Sequence, residues 1–159
     1  MKKRYYFLGI IQLILLVWFD QITKYFAVMN LKGKPSIPVF PSVFELFYLE
    51  NHGAAWGILK NARIFFLIVA VILVCLIIFY YGKLPFTDHW HMCRFLMIML
   101  AAGAAGNAID RFFHGYVIDF FYLSVIDFPV FNVADCYVTI SIALFFIFYR
   151  KEVSEWIKK

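Results

Sequence analysis

Four aspartates lie within thirty residues, from Gly106 to Asp135, in the stretch GNAIDRFFHGYVIDFFYLSVIDFPVFNVAD. They are Asp110, Asp119, Asp127 and Asp135, four of the ten acidic residues of the chain. Strongly apolar segments flank them. Carboxylates at the edge of a bilayer are costly, so they usually have a task. Two carboxylates sharing one proton can activate water and protonate a leaving amine.

The rest of the chain must position these groups. Of its 159 residues, 64% are hydrophobic, against about 45–50% in a soluble domain. The expected class is an all-α polytopic membrane protein. Four spans are predicted, each near the roughly 20 residues that crossing needs: Tyr5 to Met29, Ile64 to Tyr81, Met92 to Ala108, and Ala134 to Tyr149. The first follows Lys2, Lys3 and Arg4 but lacks a small-x-small cleavage site, so it reads as an uncleaved helix and not as a removed leader. The third contains LAAGAAGNA, where Gly103 and Ala104 would admit a close helix neighbour. Residues 30–63 carry Pro35, Pro38 and Pro41 and then the partly alternating VFELFYLE. They predict a small extracytoplasmic β-structure with aromatic side chains at the interface. Residues 112–132 read as a second outer connection, a loop holding Asp119 and Asp127. One membrane-embedded domain spans residues 1–159.

Orientation follows from Lys and Arg. Lys2, Lys3, Arg4, Lys83, Arg150, Lys151, Lys158 and Lys159 fall on one side. Lys32, Lys34, Lys60 and Arg63 fall on the other. Both termini are therefore expected in the cytoplasm. The net charge of +5 reads as topology and anionic-lipid contact, and no nucleic-acid partner is expected. Cys75, Cys93 and Cys136 form no CxxC pair and read as small buried hydrophobes.

With this topology, Asp20, Gln21 and Lys24 come to the outer end of the first span. Asn107, Asp110 and Arg111 come to the outer end of the third, and Asn132 and Asp135 to the outer start of the fourth. A charge left at mid-helix in lipid costs about 2.5–3.5 kcal/mol. Independent scatter would not gather so many at one leaflet. Asp20 and Lys24 share a helical face at i, i+4, as do Asn107 and Arg111.

Each residue also has an ordinary reading. Asn132 can cap the fourth helix, which puts Asp135 at its third position, where a carboxylate suits the helix dipole. Asp20 with Lys24 fits a neutralised intramembrane pair. Asp110 and Arg111 fit structural or anchoring roles, with Arg111 gripping a backbone carbonyl or a lipid phosphate. Asp119 and Asp127 sit in near-copies, VIDFF and VIDFP, which local chemistry does not separate; the FP after Asp127 favours a turn there. The loop NHGAAWG, Asn51 to Gly57, is either an ordinary tight turn or a backbone surface that a substrate can approach closely.

Other chemistries lack their motifs. There is no HExxH, no GxSxG and no Gly-rich phosphate loop; His52 and His114 stand alone, and no metal or cofactor is called for. The GxGD signature of presenilin-like proteases is absent as well. An aspartyl hydrolase of another type stays open.

The blocks DQITK (Asp20 to Lys24), NHGAAWG (Asn51 to Gly57), GNAIDR (Gly106 to Arg111), VIDFF (Val117 to Phe121) and FNVAD (Phe131 to Asp135) resemble, in order and spacing, the bacterial lipoprotein signal peptidase (signal peptidase II) family. The resemblance covers nearly the whole chain. It implies an aspartyl endopeptidase at the outer face of the bacterial plasma membrane that cuts diacylglyceryl-modified prolipoproteins before the lipidated Cys. It implies Asp119 and Asp135 as the catalytic pair, which separates VIDFF from VIDFP where the residues alone did not. Asp20, Lys24, Asn51, Gly53, Asn107, Asp110, Arg111 and Asn132 become substrate-binding or supporting residues. Cys136 departs from the family, where a small residue such as Ser is common. Sensitivity to globomycin-type cyclic peptides follows by the same resemblance, and a monomer in contact with membrane lipid is expected.

Two other classes compete. A small transporter or proton relay also uses intramembrane carboxylates, but it needs access from both sides, and the cytoplasmic halves of the spans read as sealed by apolar residues. A structural membrane subunit would tolerate replacement of Asp119 and Asp135.

Overall fold

The computed structural model describes residues 2–53, 59, 60 and 62–157. Four of its helices are long and apolar enough to cross a membrane: α1 (Lys2–Leu31), α2 (Arg63–Lys83), α3 (His91–Phe113) and α4 (Val133–Ile157). They are the four predicted spans, each longer than the apolar run that announced it. The flanking Lys, Arg and Glu are good helix formers and carry the turns on beyond the apolar stretch. Asp110 and Arg111 therefore lie inside α3, which ends only at Phe113.

The centre of the bundle is α3, which packs against α4, α2 and α1. Half of its most apolar window is buried, against 11–22% for the other three helices. Its small residues explain this. Ala101, Ala102, Gly103 and Gly106 are buried and let neighbouring backbones close in. A Cβ on Gly103 would run into the carbonyl oxygen of Ala134 and the side chain of Val138, both on α4. The other helices leave wide Ile, Leu and Phe faces exposed, as expected where lipid is the solvent.

A three-stranded antiparallel sheet sits at one end of the bundle, in the order β1 (Ile37–Phe40), β2 (Phe44–Asn51), β3 (Val117–Tyr122). The first two strands are the β-structure expected between the first two spans. The third corrects the reading of residues 112–132 as a loop. Asp119 is on a strand, paired with Leu49, and Val117 pairs with Asn51. The alternation that betrays a strand is missing because Val117, Ile118, Asp119 and Phe120 are all buried. Asp127 does lie in a turn. Its backbone is left-handed, φ 47°, a conformation Asp tolerates better than most residues.

The opposite end, at the α2–α3 turn, gathers the start of α1 and the far part of α4. The Tyr5 hydroxyl meets His91 Nε2 at 2.7 Å, and His89 Nε2 meets Glu152 Oε1 at 3.2 Å. The reading of this half as sealed by apolar residues needs correction. Arg94 of α3 is buried there, donating to the Leu84 and Pro85 carbonyls (2.7 and 2.9 Å). Its guanidinium lies over the rings of Tyr5, Tyr81 and Phe86, which offset part of its desolvation cost. No carboxylate pairs with it among the described residues.

Candidate active site

Below the sheet, Lys24 of α1 ties three helices and a strand together. Its Nζ lies 2.9 Å from Asp20 Oδ2 and 2.9 Å from Asp110 Oδ2, and donates to Asn107 Oδ1 at 3.0 Å. The i, i+4 pair is thus a buried ion triad, with all three side chains at most 1% exposed. The two carboxylates need further donors, because one ammonium does not neutralise both. Asp20 Oδ1 accepts from the Ala134 N–H at the start of α4 (2.9 Å), and Asp110 Oδ2 from the Ile118 N–H of β3 (3.1 Å). Gln21 completes the set, donating to both carboxylates and to the Gly106 carbonyl. Gly106 itself must lack a side chain, since a Cβ there would collide with Asp20. Gln21 was expected at this end of the first span but not among the site residues, and Gly106 was not singled out from the sequence.

Three asparagines carry this order to the two remaining aspartates. Asn107 Oδ1 accepts from Lys24 and, at 3.0 Å, from Asn132 Nδ2, so its own amide nitrogen faces Asp135 Oδ1 at 2.8 Å. Asn132 caps α4: its Oδ1 accepts from the Asp135 N–H (3.0 Å) while Asp135 Oδ2 accepts from the Asn132 N–H (3.1 Å). The reciprocal pair has the form of a capping box with aspartate in the third position. The same Asn132 donates from Nδ2 to Asp119 Oδ1 at 2.7 Å, and Asn51 Nδ2 donates to Asp119 Oδ2 at 2.8 Å. Asn51 Oδ1 also accepts from the Gly53 N–H (2.9 Å), and the Gly53 carbonyl accepts from Arg111 Nη2 (2.9 Å). Arg111 therefore grips a backbone carbonyl, with its guanidinium over the Phe66 ring. Of the NHGAAWG segment, Ala54 to Gly57 lie outside the described residues.

Asp119 and Asp135 line one cavity of about 550 Å³. Asn51, Asn107 and Arg111 share its polar side; Phe128, Pro129, Phe131 and Ile140 form its apolar side. Asp119 is 1% exposed, and its pKa is raised to about 7. Burial is the larger cause and the Asp135 carboxylate the second, outweighing the Asn51 and Asn132 hydrogen bonds and the Lys24 charge. A carboxyl that exchanges its proton near neutrality, beside a second carboxyl, suits acid–base work. All the site residues predicted from sequence meet here, in two tiers. Asn51, Asn107, Arg111, Asp119 and Asp135 face the cavity. Asp20, Lys24 and Asp110 form the buried triad behind them, joined to the cavity residues by the Lys24–Asn107 hydrogen bond, while Gly53 and Asn132 tie the cavity residues to one another. Asp127 stays apart, exposed, accepting from the Tyr122 hydroxyl at 2.7 Å.

Four helices able to cross a membrane, with two carboxylates facing one cavity, have the architecture of a membrane-embedded aspartic hydrolase. Comparison with known proteins agrees. Residues 12–150 match the family model described as signal peptidase (SPase) II. The lipoprotein signal peptidases of Streptococcus pyogenes serotype M1 and serotype M5 (strain Manfredo) are each 38% identical over 152 residues, covering 96% of this chain and 97% of theirs. A bacterial membrane enzyme solved by the in meso method at 2.3 Å resolution superposes with a TM-score of 0.81 at 34% identity, covering 92% of this chain and 90% of that one. Another, solved at 1.9 Å, gives 0.75 at 35% identity over 87% and 90%. The chain belongs to the signal peptidase II family, and it is an aspartic endopeptidase with several membrane spans.

Proposed function

We propose that this protein removes signal peptides from diacylglyceryl-modified prolipoproteins by cutting before the lipidated Cys, with Asp119 and Asp135 as its catalytic pair. The observation that carries the assignment is the shared cavity, where all four carboxylate oxygens of the pair are oriented by amide donors. The names of the curated relatives support the substrate class. The Lys and Arg excess of the two terminal segments and Lys83 supports a cytoplasmic position for the end that holds the α2–α3 turn, with the site at the outer face of the bacterial plasma membrane. The chain works as one domain and as a monomer. The diacylglyceryl chains stay in lipid beside the apolar flank of the cavity, and a globomycin-type cyclic peptide would compete for the same space.

The two acids take different parts. Asp135 sits at the third position of α4, where the helix N-terminus favours negative charge, and serves as the base. Asp119 holds the proton. Asp135 removes a proton from water as the water oxygen bonds to the scissile carbonyl carbon, and Asp119 gives its proton to the carbonyl oxygen. The tetrahedral diol then collapses: the C–N bond breaks, the departing nitrogen takes the proton from Asp135, and Asp119 recovers its own from a hydroxyl.

The test is incubation of the purified protein with a diacylated prolipoprotein, with and without a chelator. Wild type should release a shorter product regardless of chelation. Asp119→Asn and Asp135→Asn should both be folded and inactive, and Asp127→Asn active. Loss of cleavage on chelation would point to metal chemistry. An inactive Asp127→Asn would refute the assignment of the pair.

A further inference from the structure

A second cavity, of about 620 Å³, opens between α2, α3 and α4 in the half of the bundle away from the dyad. Leu96 and Met97 of α3 form its floor, with Ile77 of α2 and Phe145 of α4 as walls. It is almost wholly apolar. The Ser141 hydroxyl in its lining is turned back onto the Val138 carbonyl. Glu152, at the α2–α3 turn end, is its one acidic or basic lining residue. One Glu152 oxygen meets His89, whereas Oε2 is buried and has no hydrogen-bond partner among the described residues. A buried carboxylate oxygen without a donor is uncommon and asks for one. The buried cation of this half, Arg94, is engaged elsewhere, with the Leu84 and Pro85 carbonyls and the Phe86 ring.

The two cavities follow one another along α4. Thr139 and Ile140 line the cavity of the dyad, and Ser141 and Ile142 line the second. Glu152 lies seventeen residues beyond Asp135, about 25 Å of helix at ~1.5 Å per residue. A signal peptide has a matching plan: a basic n-region, then an apolar h-region of about 7–15 residues, then the cleavage site. Laid antiparallel to α4 with its cleavage site at the dyad, it would bring its basic end to Glu152.

We propose that the groove between α2 and α4 seats the h-region of the signal peptide as a helix and that Glu152 receives a Lys or Arg of the n-region. The inference rests on the prolipoprotein reading above and adds a charge-specific recognition residue remote from the chemistry.

It is tested with purified full-length protein and two diacylated prolipoproteins that differ only in the n-region, one with two Lys and one with two Gln. Glu152→Gln should raise KM for the Lys substrate roughly 2- to 5-fold, the scale of a partly exposed ion pair, with kcat unchanged. It should leave the Gln substrate unaffected. Glu152→Lys should raise KM for the Lys substrate further, and should recover on a third substrate carrying Glu in place of those Lys. A photoreactive residue at Met97 should crosslink to the h-region. Equal KM shifts for Lys and Gln substrates, no shift at all, or crosslinks to lipid alone would overturn the proposal. Failure of wild type to cleave any of the substrates would instead overturn the reading on which it rests.

Discussion

Asp119 and Asp127 share the local sequence VID, yet only one faces the cavity. The difference is the company each keeps. Asp119 is enclosed by β2, α4 and a second carboxylate, whereas Asp127 sits in an exposed left-handed turn. A pH signature follows. Asp119 keeps its proton up to about pH 7 in the folded protein, but only to about pH 4 in an unfolded chain. The folded state therefore binds more protons between those values, and its stability falls as pH rises through that window. Melting of wild type should drop between pH 4 and pH 8 relative to Asp119→Asn, and kcat should fall as pH climbs through about 7. A flat difference in melting temperature would mean that Asp119 is ionised throughout. The turn at Asp127 was legible in the FP that follows it; the enclosure of Asp119 was not, because it comes from segments far apart along the chain.

At the scale of elements, the helices were readable and the third strand was not. Apolar runs of span length have few alternative explanations. A four-residue buried stretch such as Val117 to Phe120 has several, since burial on both faces removes the alternation. The cap was readable too: Asn132 was expected to cap α4 with Asp135 at its third position, and the reciprocal hydrogen bonds between them fix the Asp135 side chain. Gly103 was likewise marked by its small neighbours, and its contact with the Ala134 carbonyl sets how near α4 lies to α3. Gly103→Ala should push the start of α4 outward, costing about 1–3 kcal/mol as an overpacked core does. Because Asp135 rides on that start, kcat should fall along with the melting temperature. A variant with normal melting and normal turnover would show that the helix contact has slack.

For the whole molecule, the buried Lys24 triad has two separable tasks. It joins α1 to α3, and through the Ala134 and Ile118 amides it fixes the start of α4 and the middle of β3. It also holds the Asn107 carbonyl, so that the Asn107 amide nitrogen points at Asp135. Substitution can divide the two. Lys24→Met alone leaves two carboxylates buried without their cation and should cost about 3–5 kcal/mol. Adding Asp20→Asn and Asp110→Asn removes the stranded charges, and a buried ionic cluster replaced by neutral groups often regains its stability. The triple variant should therefore melt close to wild type. Its turnover of a diacylated prolipoprotein should stay depressed, on the order of 100-fold, the scale of a misplaced catalytic group, because Asn107 has lost the donor that settled which way its amide faces. Full activity in a stable triple variant would reduce the triad to a fastener of helices. Low activity at wild-type stability would show that the order of the dyad is set from the first helix, nearly a hundred residues before Asp119.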